Sequence, residues 1–265
     1  MIKKKNIYIV FLVIFTIIIT GCDPGWDPPY EKELNNSYIQ SFRRVDTVFI
    51  WEMMGVKIDY QKKTINRTSF SIYTQWKPDT TFSVFEGITL SIHQGNRYIS
   101  YGDNDEVEAK YYEYISLLGD STFTLNNVSS GMAPPAAIID TLSSISIFCN
   151  EDFSEDFPAG SDISSLFYVF FENPYWVVTN GYKSYSGDHS YTSSSIKEGF
   201  PYAIEGWELN SIDFTTKPFI GATWDCQLTQ APDVTGIYSF DVEVTKTDGK
   251  KIRVTSRPFG IKGSE

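Results

Sequence analysis

The chain has 265 residues, with 33 Asp and Glu against 22 Lys and Arg, a formal charge of −11 at pH 7. That balance excludes nucleic acid and anionic lipid headgroups as partners for most of the surface, since both need a basic face. Hydrophobic residues are an ordinary 42%, but aromatics are many (19 Phe, 17 Tyr and 6 Trp), enough for one large core or two modest ones.

The N-terminus opens with Lys3, Lys4 and Lys5, then an almost unbroken apolar run from Ile7 to Ile19. At about 1.5 Å per residue this run falls short of the ~30 Å hydrocarbon core. A short apolar stretch behind lysines reads as a signal-peptide core rather than a membrane span. Ile19-Thr20-Gly21-Cys22 then sets small residues directly before a cysteine. These residues resemble the lipobox of bacterial lipoprotein precursors, in which cleavage falls before the cysteine and the new N-terminus carries lipid. The resemblance implies a signal peptide over 1–21 and lipidation at Cys22. The membrane is then a partner through the lipid anchor, and the protein belongs to the cell envelope, with the outer membrane favoured. Several acyl chains at ~0.8 kcal/mol per buried methylene make such attachment effectively permanent.

Residues 22–36 hold Pro24, Gly25, Pro28 and Pro29 and show no hydrophobic period. They read as a tether, reaching about 40 Å if extended in polyproline II form. From residue 37 to 265 the chain reads as a single body of short β-type runs: Val45–Met53, Ser69–Gln75, Ile88–His93, Ser121–Leu125, Ile138–Phe148 and Leu166–Phe171. Turn chemistry separates them, as in Lys77-Pro78-Asp79, Gln94-Gly95-Asn96 and Ala133-Pro134-Pro135. The pattern predicts a mainly β fold, an immunoglobulin-like antiparallel β-sandwich with one or two short helices. Val107, Tyr111, Ile115 and Leu118 form one helical stripe, with acids at its start and Gly119 as its stop. A second short helix is expected near Ser161-Asp162.

The clearest strand pair lies at the C-terminus. Tyr238, Phe240, Val242 and Val244 share one face, and Ile252 and Val254 continue it on the next strand. A two-residue Asp248-Gly249 turn would set Val244 against Arg253, on the wrong face. A three-residue loop, Thr247-Asp248-Gly249, instead pairs Val244 with Ile252, Val242 with Val254 and Glu243 with Arg253, with Gly249 left-handed.

Candidate chemistry is sparse. His93 and His189 are the two histidines. His93 reads as a half-exposed strand residue, and the adjacent Asp188-His189-Ser190 cannot converge as a triad. Neither a Gly-x-Ser-x-Gly elbow nor a phosphate loop is present. The expectation is therefore a non-enzymatic protein without a cofactor. Glu151, Asp152, Glu155 and Asp156 read either as a solvated acidic loop or as carboxylates for a structural calcium. Cys149 and Cys226 both look inward, as buried small hydrophobes do, and an oxidising compartment also permits a disulfide between them.

Asn173–Ser195 holds Tyr175, Trp176, Tyr182, Tyr185 and Tyr191 among short polar residues. Flat rings beside hydroxyls and amides suit a sugar, whose C–H face stacks while its hydroxyls find partners. The alternative reading is a strand over Tyr175–Thr179 with half of its aromatics in the core.

Ser144–Phe153, followed by Phe157-Pro158-Ala159-Gly160-Ser161-Asp162-Ile163-Ser164-Ser165-Leu166-Phe167, is similar to a pattern in lipoproteins of gut-type Gram-negative bacteria, classed as a domain of unknown function. The match spans about 25 residues, departs at Cys149 and assigns no functional residue. Asp46-Thr47-Val48, Asp120-Ser121-Thr122 and Asp140-Thr141-Leu142 resemble the three-residue O-glycosylation acceptors of such bacteria. Taken together, the residues point to a membrane-anchored lipoprotein that binds glycan or protein through aromatic loops. The alternatives are a structural partner in an envelope complex and, third, a polysaccharide-acting hydrolase using paired carboxylates.

Overall fold

Alternation of apolar and polar side chains makes short strands the chief regular element of this chain. The computed structural model describes residues 37–54, 57–59, 64–66, 84–85, 88–94, 98–100, 105–123, 135–184, 190–191 and 201–264. Residues 1–36, with the expected signal peptide, Cys22 and the expected tether, lie outside them. So do the strand expected over Ser69–Gln75, residues Tyr185, Asp188 and His189, and the side chain of Tyr191.

In chain order the strands are β1 Ser41–Arg43, β2 Val48–Met54, β3 Lys57–Asp59, β4 Thr64–Asn66, β5 Val84–Phe85, β6 Ile88–Gln94 and β7 Tyr98–Ser100. Helix α1, Asp105–Leu118, follows, then β8 Ala136–Ile138, β9 Leu142–Cys149, β10 Phe167–Glu172, helix α2 Pro174–Thr179, and β11 Ser190–Tyr191. The chain continues through β12 Ile204–Glu208, β13 Thr223–Leu228, β14 Gly236–Tyr238, β15 Phe240–Lys246, β16 Lys251–Thr255 and β17 Phe259–Ile261. Asn36–Glu265 form one unit.

The mainly β class and the sandwich are as the alternation predicted. A five-stranded antiparallel sheet in the order β12-β10-β13-β6-β2 forms one layer. The sheet β16-β15-β9 forms another, and β17 adds Phe259 and Ile261 to the same core. Between them lie Leu90, Ile92, Phe167, Val169, Trp224 and Cys226 from the first layer and Ile145, Ile147, Cys149, Phe240, Val242 and Val244 from the second. Phe240 sits near the middle, 6.1 Å from the Phe167 ring and 5.4 Å from that of Phe259. Not all pairing is antiparallel: β1–β8, β4–β11 and β5–β17 run parallel.

A second core collects Tyr38, Ile39, Phe42, Tyr111, Ile115, Leu118, Phe123, Val177 and Val178, under the sheet β7-β1-β8 and the two helices. The α1 stripe buries Tyr111, Ile115 and Leu118 as its spacing requires. Gly119 stops the helix at φ +69°. Gly119 N–H then bonds the Ser116 carbonyl and Asp120 N–H the Ile115 carbonyl, the paired closure of a Schellman end.

Four local expectations are corrected. Tyr175–Thr179 is helix α2, not a strand: Pro174 presets the first helical φ, and Asn173 Oδ1 caps the Trp176 N–H at 2.9 Å. The run Ile138–Phe148 is two strands in different sheets. Asp140 interrupts it by accepting Val45 N–H (2.7 Å) and Lys246 Nζ (2.8 Å), which turns the chain from β8 to β9. The helix expected near Ser161 is a single 3-10 turn at Ser164–Leu166, and Ser121–Phe123 carries no strand.

Candidate functional site

The aromatic segment proposed for ligand contact is mostly spent on packing. Tyr175 and Trp176 are half-buried against the second core, with Tyr175 stacked on Phe219 at 6.3 Å. Helix α2 ends as α1 does: Gly181 N–H bonds the Val178 carbonyl and Tyr182 N–H the Val177 carbonyl. Both Schellman ends deliver their next residue to one place. Tyr182 Oη donates to Asp120 Oδ1 at 3.1 Å, and its ring packs on Phe123 (5.0 Å). Asp120, fully buried, also accepts the N–H groups of Tyr38 and Ile39, both at 2.8 Å. Burial raises the Asp120 carboxyl above the usual aspartate range, while these donors pull it down. This cluster fastens the first described residues of the body.

Two carboxylates of the acidic loop serve internal donors. Glu151 accepts Ser239 N–H (2.6 Å) and Ser239 Oγ (3.0 Å), and Asp152 accepts Ala159 N–H (2.8 Å). Glu155 and Asp156 are exposed. Among the described residues, no three metal-ligating side chains converge. Cys149 and Cys226 are buried free thiols on strands of opposite layers. Burial pushes the Cys149 thiol up to about 11 and Cys226 higher still, so neither is a thiolate at neutral pH. In the three acceptor-like tripeptides, Thr47 and Ser121 are exposed and Thr141 is half-buried; Asp120 and Asp140 hold internal hydrogen bonds.

Two arrangements were not singled out from the sequence. The first lies on the polar face of the five-stranded sheet, opposite Leu90, Ile92, Trp224 and Cys226. The pairs Thr223–His93 and Asp225–Ser91 face each other across β13 and β6. Ser91 Oγ donates to Asp225 Oδ1 at 2.6 Å and lies 3.2 Å from His93 Nε2; Thr223 Oγ1 lies 3.3 Å from His93 Nδ1. With the Ser91 hydroxyl donating to the carboxylate, His93 Nε2–H donates to Ser91 Oγ and Nδ1 accepts from Thr223. The order is therefore Asp–Ser–His rather than the Asp–His–Ser of a hydrolase, and the imidazole is not placed to take the hydroxyl proton. Burial holds the His93 pKa below the usual histidine value, Arg43 pushing the same way and Asp225 opposing. On the same face, Thr89 Oγ1 is buried without a hydrogen-bond partner among the described residues.

The second is a rim on β12, at an outer position of the same sheet. Glu205 is 8% exposed; its Oε2 accepts Trp207 Nε1 (3.0 Å) and Lys217 Nζ (2.6 Å), and its Oε1 accepts Asn173 Nδ2. Lys217 Nζ also stands 4.9 Å from the Trp207 ring centroid. Asn173 thus caps α2 with its oxygen and holds Glu205 with its nitrogen. The signal was present in Glu205-Gly206-Trp207, where a two-residue spacing on a strand sets both side chains on one side. The partners Lys217 and Asn173 are distant in sequence and could not be read from it.

Fold and sites together define a β-sandwich body with a second, hydrogen-bonded core and a rigid aromatic rim. Compared with family models, characterised proteins and solved structures, the chain finds no match.

Proposed function

We propose that this chain is a lipid-anchored protein of the cell envelope whose body recognises a glycan or protein partner without transforming it. The anchor rests on Lys3 to Cys22. The observation that carries recognition is how the polar groups are used. Ser91 donates its hydroxyl hydrogen bond to Asp225, and Glu151, Asp152, Asp120 and Asp140 serve backbone donors, while large side chains such as Trp207 (40% exposed) are held outward from strands. Groups locked in internal hydrogen bonds supply shape, and exposed rings on rigid strands supply contact area.

The test has two parts. Cys22→Ser should move the protein from the membrane fraction to the soluble extracytoplasmic fraction; retention in the membrane ends the anchor reading. The wild-type protein should retain a glycan or an envelope protein on an array or in a cross-linked pull-down. Measurable turnover of a polysaccharide would instead favour the hydrolase alternative. One observation favours the assembly reading: Val234 (58% exposed) and Ile237 (46%) present apolar surface beside and on β14, which has the outer position in β14-β17-β5.

A further inference from the structure

A tryptophan left in water forfeits burial, so an exposed one that is also held still invites a ligand. Trp207 is 40% exposed, yet three features fix its ring. Its strand pairs with β10, Trp207 opposite Val169. Its Nε1 is bonded to the buried Glu205, and Lys217 Nζ lies over its ring. Of the rings the sequence favoured, Tyr175, Trp176 and Tyr182 are half-buried against the second core, with Tyr175 stacked on Phe219 and Tyr182 packed on Phe123, while Tyr185 and the Tyr191 side chain lie outside the described residues.

We propose that Trp207 and Lys217, oriented by Glu205, form a subsite for a neutral glycan. The indole takes the apolar C–H face of a pyranose ring, and the Lys217 ammonium donates to a hydroxyl. This rests on the recognition reading above and gives it a location. Of the three Lys217 N–H donors, one is committed to Glu205. Glu205 accepts three hydrogen bonds and acts as the fixed support that sets both other side chains. Preorganisation matters because little side-chain freedom is then lost on binding. Charge selects the ligand class. Lys217 and Glu205 cancel, Glu208 next to Trp207 is exposed, and the chain carries −11, so an acidic sugar meets net repulsion.

The experiment uses the purified full-length protein in detergent micelles on an array of neutral and uronic-acid-bearing oligosaccharides, followed by titration calorimetry with the best neutral one. Thermal melts establish that each variant is folded. The wild type should bind neutral oligosaccharides, Trp207→Ala should weaken binding about tenfold or more, and Trp176→Ala should stay within about threefold. If Trp207→Ala does not fold, Trp207→Phe replaces it; it keeps a ring but loses the bond to Glu205, and an unchanged affinity overturns the subsite. Binding that survives in a folded Trp207→Ala overturns the subsite and leaves recognition standing. Preference for uronic acids overturns the neutral class. Absence of binding to every glycan overturns the subsite and the glycan branch of the recognition reading together.

Discussion

Between the two layers of the sandwich, Leu90, Ile92, Val169, Phe167, Phe240 and Val242 meet through shape alone, whereas the core under α1 and α2 meets through shape and hydrogen bonds together. In that second core Tyr111 Oη donates to the Ile39 carbonyl (2.8 Å) and contacts Ser37 Oγ (2.6 Å), and Tyr38 Oη donates to the Pro201 carbonyl (2.7 Å). Asp120 sits at its centre with two backbone donors and Tyr182. Strain is concentrated there too: Tyr182 (φ 58°) and Phe219 (φ 53°), the non-glycine residues in left-handed backbone among those described, both pack against this core. An aliphatic core tolerates a change that preserves volume; a core built on buried donors fails when one acceptor goes, because the orphaned groups lose water and partner alike.

The largest effect expected is on the first core. Phe240→Ala removes a fully buried ring between Phe167 and Phe259 and should cost about 4 kcal/mol in chemical denaturation. Phe240→Leu, which keeps much of the volume, should cost less than half of that. If the two variants are equally damaging, the sandwich core is more demanding of geometry than this contrast allows.

In the second core the sharpest change is a small one in volume. Asp120→Ala leaves the buried N–H groups of Tyr38 and Ile39 without an acceptor and should cost about 3 kcal/mol. Tyr182→Phe, removing one donor to the same carboxylate, should cost about 1 kcal/mol. Hydrogen exchange should show the loss first at residues 37–40, where the clamp fastens the chain. Equal protection there in Asp120→Ala would remove the clamp from the account.

The regions also differ in their response to acid. The folded protein holds His93 neutral, with a pKa below its ordinary value, so the unfolded chain binds the extra proton first. His93's contribution is present above about pH 6.5 and is lost as pH falls through that value toward the depressed one. Asp120 has the opposite sign: its raised carboxyl pKa means stability tied to it increases as pH falls through the folded value toward the ordinary aspartate range. Stability curves of wild type and His93→Gln should therefore converge on moving from pH 7.5 to 5.5. Parallel curves would mean that His93 keeps an ordinary pKa.

How much of this could be read beforehand divides along the same line. The C-terminal hairpin was legible to the residue: Val244–Ile252, Val242–Val254 and Glu243–Arg253 pair, and Gly249 stands at φ +83°. Alternation and a short loop are local signals, and so is the α1 stripe. Helix α2 was misread because Val177-Val178-Thr179 favours a strand, while Asn173-Pro174, the cap and first-turn signal that decided it, was passed over. The candidate sites were least legible. Asp120 was seen as part of a tripeptide, but its donors, Tyr38 and Ile39, are some 80 residues earlier. Glu205, Lys217 and Asn173 meet only after β10, α2 and β12 are in place. Aromatic composition pointed to ring surfaces in general; tertiary packing decided which rings, Trp207 among them, stay exposed.

The smallest effect tests the polar face, where the sandwich borrows the chemistry of the second core without completing it. Ser91, Asp225, His93 and Thr223 are joined by hydrogen bonds, but Thr89 Oγ1, two residues before Ser91 on the same face, is buried with no partner among the described residues. Such a hydroxyl forfeits its water without recovering a bond. Thr89→Val keeps the β-branched shape a strand favours and deletes the polar atom, so it should raise stability by about 1 kcal/mol, against the destabilising trend of core changes. Val at this position should also leave the His93 pH dependence unchanged, because Thr89 is absent from that hydrogen-bonded chain. A stabilised Thr89→Val with unaltered acid response would show that the Thr89 hydroxyl stands apart from the network around His93. A destabilised variant would mean that the Thr89 hydroxyl has a partner in the folded protein and belongs to a larger network.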